Sequence, residues 1–262
     1  MTYQLYQQDC LEWMSQQPDA TVDVVVSSPP YNIGLNYNTY GDQMSSEQYL
    51  VWQQNIWTQA TRILKPTGHL FLNIAPTRQD PLLPYRVADC VPWTIQNSIV
   101  WSKCIEIDGH VRGHNLPTAS KKYLPNGHEM VFHFTAQGQT AIDIAASSVP
   151  YQPAWAADNA RRSGRNWRPT VNNWHIPYET VGSFGGNKSQ ELKGTKKHPA
   201  IFPRELVRHC LRVAGAKPGD RVYDPFAGTG TSLWVAEKEF GCEAIGTEID
   251  SDYAKFIHQR MQ

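Results

Sequence analysis

The sequence lacks the segments that take a protein into or across a membrane. No apolar run approaches the roughly eighteen residues that a spanning helix needs. The opening MTYQLYQQDC has neither the cationic nor the apolar part of a signal peptide. We therefore expect a soluble protein of the cytoplasm with no membrane partner.

Cysteine is scarce and net charge is absent. The 5 cysteines are scattered and form no Cys-x-x-Cys pair, which indicates reduced, buried thiols and neither a disulfide framework nor a zinc finger. The 24 basic residues balance 24 acidic ones, but residues 101–221 hold 17 Lys+Arg against 9 Asp+Glu. This segregation favours a basic face for a polyanion, although solvated surface charges give weaker versions of it.

The chain of 262 residues, 40% of them apolar, suits one large α/β domain or a core with an inserted lobe. A β-branched run at 22–27 predicts a buried parallel strand, and Ser45 with Gln48 resembles the capping box of a long helix. Other patterns predict helices at 10–17, 204–213, 231–240 and from 252, and strands at 69–74, 129–134, 221–223 and 244–247. The alternation predicts a mostly parallel sheet with helices on both faces, interrupted by an irregular lobe at 106–196.

A glycine-rich turn joins a predicted strand to a helix at Asp224–Ser232. Without Cβ atoms, Gly228 and Gly230 let a ligand approach the backbone, and the helix start offers free N–H groups. Glu248 ends the next strand, where a carboxylate accepts hydrogen bonds from ribose hydroxyls. Leu233 stands where a dinucleotide fingerprint has its third glycine, and no Gly-Lys-Ser/Thr of a P-loop follows. The pattern favours an adenosine-type pocket over a purely structural helix entry.

A second pattern, Ser28-Pro29-Pro30-Tyr31, follows the strand at 22–27. Two prolines remove N–H donors, so the Ser28 hydroxyl and the Ser28 and Pro29 carbonyls form a group of acceptors beside an aromatic ring. Such a group suits a planar amine. Taken alone, the pattern fits a proline-terminated strand equally well.

Together these motifs resemble those of the DNA amino-methyltransferases, which transfer a methyl group from S-adenosylmethionine (SAM) to cytosine N4 or adenine N6. Ser28-Pro29-Pro30-Tyr31 resembles the catalytic motif of that family, and Asp224–Gly230 resembles its SAM motif. The catalytic motif comes first, which is typical of the β class. Further matches are Gln8–Glu12, Gly246–Glu248 and Lys197–Pro203.

The resemblance implies that SAM-binding side chains occur in four segments: Asp9, Cys10, His198, Pro199, Phe202, Asp224, Pro225, Phe226, Gly228, Gly230, Thr231, Ser232 and Glu248. It divides the chain into a catalytic half (1–105), a target-recognition lobe with one core strand (106–196) and a SAM-binding half (197–262). Asp9 is equally well placed as a plain helix N-cap. His198-Pro199 also suits a simple helix start.

The same resemblance implies duplex DNA as partner, with the target base flipped out of the stack onto Tyr31. Ser at the first motif position favours cytosine N4 as the target, with adenine N6 as the alternative. Basic residues interleaved with Trp155, Trp167 and Trp174 are candidates for phosphate contacts: Arg161, Arg162, Arg165, Arg168, Lys193, Lys196 and Lys197. A cognate restriction endonuclease and a second copy of the chain are further candidate partners.

Other classes of function remain as alternatives. One is a nucleic-acid-binding protein that kept the fold without catalysis, and another is a methyltransferase for RNA or protein. The motif order disfavours the protein-glutamine type. His128-Glu129 resembles the start of a zinc-protease motif, but His133 lies five residues on, which places the two histidines on opposite faces of a strand. We therefore expect no metal.

Overall fold

A computed structural model describes residues 3–34, 41–107, 110–113, 121–151, 153–177 and 203–262. Nine of its strands form one sheet, and a two-stranded ribbon lies apart from it. The strands are β1 Tyr3–Tyr6, β2 Val22–Ser27, β3 Leu64–Ile74, β4 Thr94–Ile107, β5 His110–Gly113, β6 His128–Thr135, β7 Val149–Pro150, β8 Trp167–Arg168, β9 Asn173–Pro177, β10 Arg221–Asp224 and β11 Glu243–Thr247.

The helices alternate with the strands of the sheet. They are α1 Cys10–Ser15, α2 Ser46–Ile63, α3 Leu83–Ala88, α4 Pro153–Ser163, α5 Arg204–Ala214, α6 Thr231–Lys238 and α7 Ser251–Met261. In the described part of the chain no helix is both long and apolar enough to cross a membrane.

The order of the main sheet is β1-β11-β10-β2-β3-β6-β4-β5, with β9 beside β4. Neighbours from β1 to β3 are all parallel. Beyond β3 the sheet turns antiparallel, because β6 pairs with both β3 and β4 in that sense. The prediction of a parallel α/β sheet is therefore confirmed, and the antiparallel part is an addition to it.

Helices cover both faces of this sheet, as predicted. Alternate residues of β2 point to opposite faces, since Val25 packs in one core cluster and Val24 and Val26 in the other. The first cluster takes apolar side chains from α1, α2 and α3, whereas the second takes them from α5, α6 and α7. The edge where the parallel strands end remains available between the two layers.

Local signals placed several elements correctly. Ser45 and Gln48 form the reciprocal capping box of α2, and β2 spans the predicted 22–27. Strand β3 begins earlier than the predicted residue 69. Leu64 pairs with Val22 and His69 with Val24, so a register shift accommodates the Pro66-Thr67-Gly68 segment inside the strand.

The segment at 106–196 contains more of the sheet than predicted. The expected core strand at 129–134 is present as β6, but β9 also joins the sheet, alongside β4. Strand β4 itself was not predicted. The proposed division into three parts is not settled by these pairings and stays a prediction.

Candidate functional site

The predicted site residues meet at one edge of the sheet. The carboxyl ends of β1, β11, β10 and β2 lie side by side, because these strands are parallel neighbours. Asp9 follows β1, Glu248 follows β11, the glycine-rich turn follows β10, and Ser28 follows β2. Ligands of open α/β sheets bind at this edge, beyond the carboxyl ends of the strands.

Asp224 anchors the glycine-rich turn. Its Oδ1 accepts hydrogen bonds from Ser27 Oγ at 2.6 Å and from the Phe226 amide at 2.9 Å, and its Oδ2 accepts from Ser232 Oγ. The residue is 1% exposed, and burial raises the pKa of its carboxyl while these hydrogen bonds lower it. Asp224 thus ties β2, β10 and α6 together.

The two predicted glycines of the turn adopt left-handed conformations. Gly228 has φ 53° and Gly230 has φ 75°, a region that other residues rarely occupy. A Cβ on Gly230 would lie 3.0 Å from the Ile257 side chain of α7. Gly230 is therefore required by both backbone and packing, whereas Gly228 uses its N–H to contact the Glu248 carboxylate.

The Glu248 carboxylate lies across the turn from β11. Its Oε2 accepts from the Gly228 amide and its Oε1 from the Asp250 amide, both at 2.8 Å. Burial raises the pKa of this carboxyl to about 7, with the two backbone N–H groups opposing the shift. A second lone pair on each oxygen is available to ribose hydroxyls.

Asp9 is the N-cap of α1, the structural alternative that the sequence raised. Its Oδ1 accepts from the Leu11 amide at 2.8 Å and from the Glu12 amide at 3.3 Å. Cys10 follows with 4% exposure, and burial raises the pKa of its thiol. A cap does not exclude a cofactor contact, so the proposed adenine contact of this segment stays a prediction.

Two further features of the edge fit a cofactor. Thr231 Oγ1 at the start of α6 is buried and makes no hydrogen bond within the described residues. Phe226 packs edge-on against Trp52 at 5.7 Å between ring centres, which forms an aromatic wall beside the turn. The other predicted cofactor residues, His198, Pro199 and Phe202, lie outside the described residues.

The predicted catalytic turn brings Ser28 and Tyr31 into contact. Ser28 Oγ lies 2.9 Å from the Tyr31 hydroxyl. Pro29 is buried, and the Pro30 carbonyl accepts a hydrogen bond from Tyr49 at 2.8 Å. One edge of Tyr31 borders a cleft of about 190 Å³ that also contacts Tyr49 and Leu83.

Three polar side chains that sequence reasoning missed lie against this turn. Asn73 of β3 is 5% exposed and Glu129 of β6 is 8% exposed. Glu129 Oε2 accepts from the Tyr31 hydroxyl at 3.0 Å and from Asn73 Nδ2 at 2.6 Å, and its Oε1 lies 2.6 Å from Lys103 Nζ. With Ser28 these residues form what we call the Glu129 cluster. The available signal was a polar residue beside or within each apolar strand run.

The predicted DNA-contact residues divide by position. Arg161, Arg162, Arg165 and Arg168 are exposed on α4 and on the segment through β8. Arg165 lies over the Trp167 ring at 4.4 Å, and Arg161 pairs with Asp158 at 2.6 Å. The basic residues Lys193, Lys196 and Lys197 lie outside the described residues.

The tryptophans of this segment do not all serve one surface. Trp155 is 62% exposed, but Trp174 is 3% exposed and packs in the second core cluster. The expectation that Trp174 lies on a DNA surface is therefore wrong, because β9 places its side chain inside the sheet core.

The predicted opposite orientation of His128 and His133 is confirmed. His128 is exposed, whereas His133 is fully buried and lies 2.9 Å from His69. Asn97 Nδ2 donates to His133 Nδ1, so neutral His133 carries its proton on Nε2 and donates to His69 Nδ1. Burial, followed by the neighbouring His69, lowers the pKa of His133 to about 3.

Solved structures reproduce this architecture. The PvuII DNA methyltransferase (cytosine-N4-specific) superposes with a TM-score of 0.73 at 20% identity, over 100% of this chain and 87% of that one. TTHA0409 of Thermus thermophilus, a DNA modification methylase by its title, matches with a TM-score of 0.62 at 24% identity, over 99% of this chain and 93% of that one. These likenesses establish the fold.

Sequence comparison extends to the family. M.BglII, a type II methyltransferase of Bacillus subtilis, is 27% identical over 97% of this chain and 68% of its own length. The DNA adenine methyltransferase YhdJ of Escherichia coli (strain K12) is 26% identical over 97% of this chain and 80% of its own length. Residues 22–259 match the family model for DNA methylases of the N6/N4 type. Since that match covers most of the chain, the protein belongs to the N6/N4 family of DNA methylases.

Proposed function

We propose that the protein transfers a methyl group from SAM to the N4 amine of a cytosine flipped out of duplex DNA. The observation that carries the proposal is Ser28, a neutral hydroxyl at the carboxyl end of β2, beside the edge that suits an adenosine-type cofactor. The relationship to a cytosine-N4-specific enzyme in fold also supports it.

An exocyclic amine is a poor nucleophile because its lone pair is delocalised into the base. Acceptors at Ser28 Oγ and at the Pro29 carbonyl would hold its two hydrogens, favour a pyramidal nitrogen and direct the lone pair outward. The catalytic gain then comes from positioning and fixed dipoles, without a covalent enzyme intermediate. SAM supplies an electrophilic methyl group: the N–C bond forms, the C–S bond breaks, and the surplus amine proton leaves to water.

The target amine is inaccessible inside a duplex, so the base must leave the stack. We propose that Tyr31 stacks on the flipped base, and the cleft beside Tyr31, Tyr49 and Leu83 supports this role. Stacking of a base on an aromatic side chain contributes about 1 to 3 kcal/mol.

For the cofactor, we propose that Glu248 accepts from the ribose hydroxyls and that the N–H groups of the turn receive the rest of the molecule. The left-handed glycines, the uncommitted Thr231 hydroxyl and the Phe226 wall support this assignment. The roles of Asp9, Cys10 and the 198–202 segment in the same site are part of the proposal.

For DNA, we propose that the exposed arginines on α4 and near β8 contact phosphates. Four cations on one solvent-facing segment suit the charge spacing of a duplex and support this assignment. The type II designation of several relatives supports a cognate restriction endonuclease as the physiological companion. A DNA substrate and bacterial relatives likewise support the cytoplasm of a prokaryotic cell as the site of action.

Adenine N6 is a second candidate target, favoured by the resemblance to the adenine methyltransferase YhdJ. Both targets are planar exocyclic amines and would use the same acceptors. The two proposals therefore differ in the shape of the base pocket and share the mechanism.

An assay with labelled SAM on DNA, RNA and protein tests the substrate class. Amplified genomic DNA is a suitable substrate, because it is unmethylated and contains every short sequence. We expect label in DNA alone. Label in RNA or protein without label in DNA would contradict the proposal.

A further inference from the structure

The Glu129 cluster contains more hydrogen-bond constraints than the turn alone requires. Glu129 is ion-paired with Lys103 and as a carboxylate offers only acceptors. The single Tyr31 hydroxyl proton points to Glu129 Oε2, at 3.0 Å. Consequently, the contact of 2.9 Å between Ser28 and Tyr31 requires the Ser28 hydroxyl to donate to the Tyr31 oxygen.

Asn73 leaves the same pattern intact. Its Nδ2 has two hydrogens and three neighbouring acceptors: Glu129 at 2.6 Å, Tyr31 at 3.0 Å and Ser28 at 3.4 Å. The two short contacts use both hydrogens, which leaves the lone pairs of Ser28 Oγ uncommitted. The carboxylate also fixes the amide orientation, since Asn73 Oδ1 is buried without a hydrogen-bond partner among the described residues.

We infer that Glu129 is a positioning residue that fixes the direction of the hydrogen bonds, so that Ser28 presents only lone pairs to the substrate. The chain of donation runs from Ser28 to Tyr31 and from Tyr31 to Glu129, with Lys103 holding the far carboxylate oxygen. A site of this polarity accepts a substrate atom that carries hydrogen, an amine, and disfavours a carbonyl oxygen at the same place. This inference rests on the proposed function, because it assigns the amine to Ser28.

The Tyr31 side chain supports this direction of donation. Burial raises the pKa of its hydroxyl well above the ordinary value, and the charge of Glu129 acts in the same sense. Tyr31 therefore stays protonated at neutral pH and serves as a donor to Glu129. It does not act as a proton acceptor for the reaction.

Glu129→Gln is the first test, because it keeps the shape and replaces the carboxylate by an amide. The Lys103 ammonium attracts the amide oxygen, so the amide NH₂ turns toward Tyr31 and reverses the chain of donation. We expect kcat on amplified genomic DNA to fall about 10- to 100-fold, as for one oriented hydrogen bond, with SAM affinity unchanged. Glu243→Gln, at the amino end of β11 and paired with Arg221, is the matched control with wild-type kcat.

Tyr31→Phe is the second test, and it keeps the ring for stacking while it removes the hydroxyl. We expect a loss of kcat similar to that of Glu129→Gln, and we expect the double variant to be no slower than either single variant. A stacking role alone predicts wild-type kcat for Tyr31→Phe. Additive losses in the double variant would mean that the two residues act independently.

A third variant adds Lys103→Met to Glu129→Gln. Without the ammonium, the amide oxygen is free to face Tyr31, and we expect kcat to recover at least severalfold over the single variant. A merely structural role for the ion pair predicts a further loss.

These outcomes separate this inference from the proposed function. If wild-type protein methylates no base amine, the proposed function fails. If wild-type protein methylates an amine while Glu129→Gln and Tyr31→Phe both keep wild-type kcat, only the inference about Glu129 is overturned. Should Glu129→Gln lose its folded circular dichroism, the result for Tyr31→Phe alone decides.

Discussion

The Glu248 carboxyl makes SAM binding depend on pH. Its pKa of about 7 means that the group is protonated below this value and ionised above it. Only the ionised form has all its lone pairs available to ribose hydroxyls while it keeps its contacts with Gly228 and Asp250. Binding should therefore release a proton below pH 7 and tighten as the pH rises.

The magnitude follows from the position of the pKa. Below pH 7 the ionised fraction falls tenfold per pH unit, so the apparent Kd should rise about tenfold between pH 7.5 and pH 6. Above pH 7.5 the Kd should be nearly constant. In Glu248→Gln the dependence should disappear, and the loss of a charged hydrogen bond should weaken binding by about 1.5 to 3 kcal/mol at pH 8.

Isothermal titration calorimetry measures these quantities directly. The amino group of SAM titrates near pH 8, so 5′-methylthioadenosine, which has the ribose but no amino acid, is the better probe. Glu243→Gln at the other end of β11 is the control, with wild-type affinity and pH dependence. A Kd that stays constant from pH 5.5 to 8 in folded wild-type protein would refute the role of Glu248.

Three further predictions concern other parts of the molecule. Neutralising Arg161, Arg162 and Arg165 together should flatten the dependence of DNA affinity on salt, measured by fluorescence anisotropy; an unchanged slope would make the basic segment a solvated surface only. Tyr31→Ala should lower methylation by about one to two orders of magnitude with SAM affinity preserved, because a stacking contact of about 1 to 3 kcal/mol is lost; weaker SAM binding would contradict this division of roles. His133 has a folded pKa of about 3 against 6.5, so the unfolded chain binds the proton first as the pH falls. Urea unfolding should therefore lose up to about 1.4 kcal/mol per pH unit from 6.5 toward 3, and His133→Leu should reduce this slope.

Local patterns identified those parts of the fold that depend on neighbouring residues. The capping box of α2 and the β-branched strand β2 were predictable, since each relies on contacts within a few positions. Strand β4 was missed because it is stabilised by distant partners. It pairs with β6 and β9, and its apolar residues alternate only partly along 94–107.

The candidate site was predictable to a similar extent. The glycine-rich turn, Glu248 and Ser28 are marked by strand ends and by glycine or proline, which act locally. Asn73 and Glu129 face Tyr31 only because of the register between β3 and β6, which places Asn73 opposite Val131. Their role depends on a strand pairing that no local pattern specifies.

The identity of the methylated base tests the central claim most directly. Amplified genomic DNA treated with the protein and SAM is digested to nucleosides and analysed by mass spectrometry, with Ser28→Ala as the control of low turnover. We predict N4-methylcytosine. N6-methyladenine as the only product would contradict the base assignment and retain the amine mechanism, whereas 5-methylcytosine would contradict both.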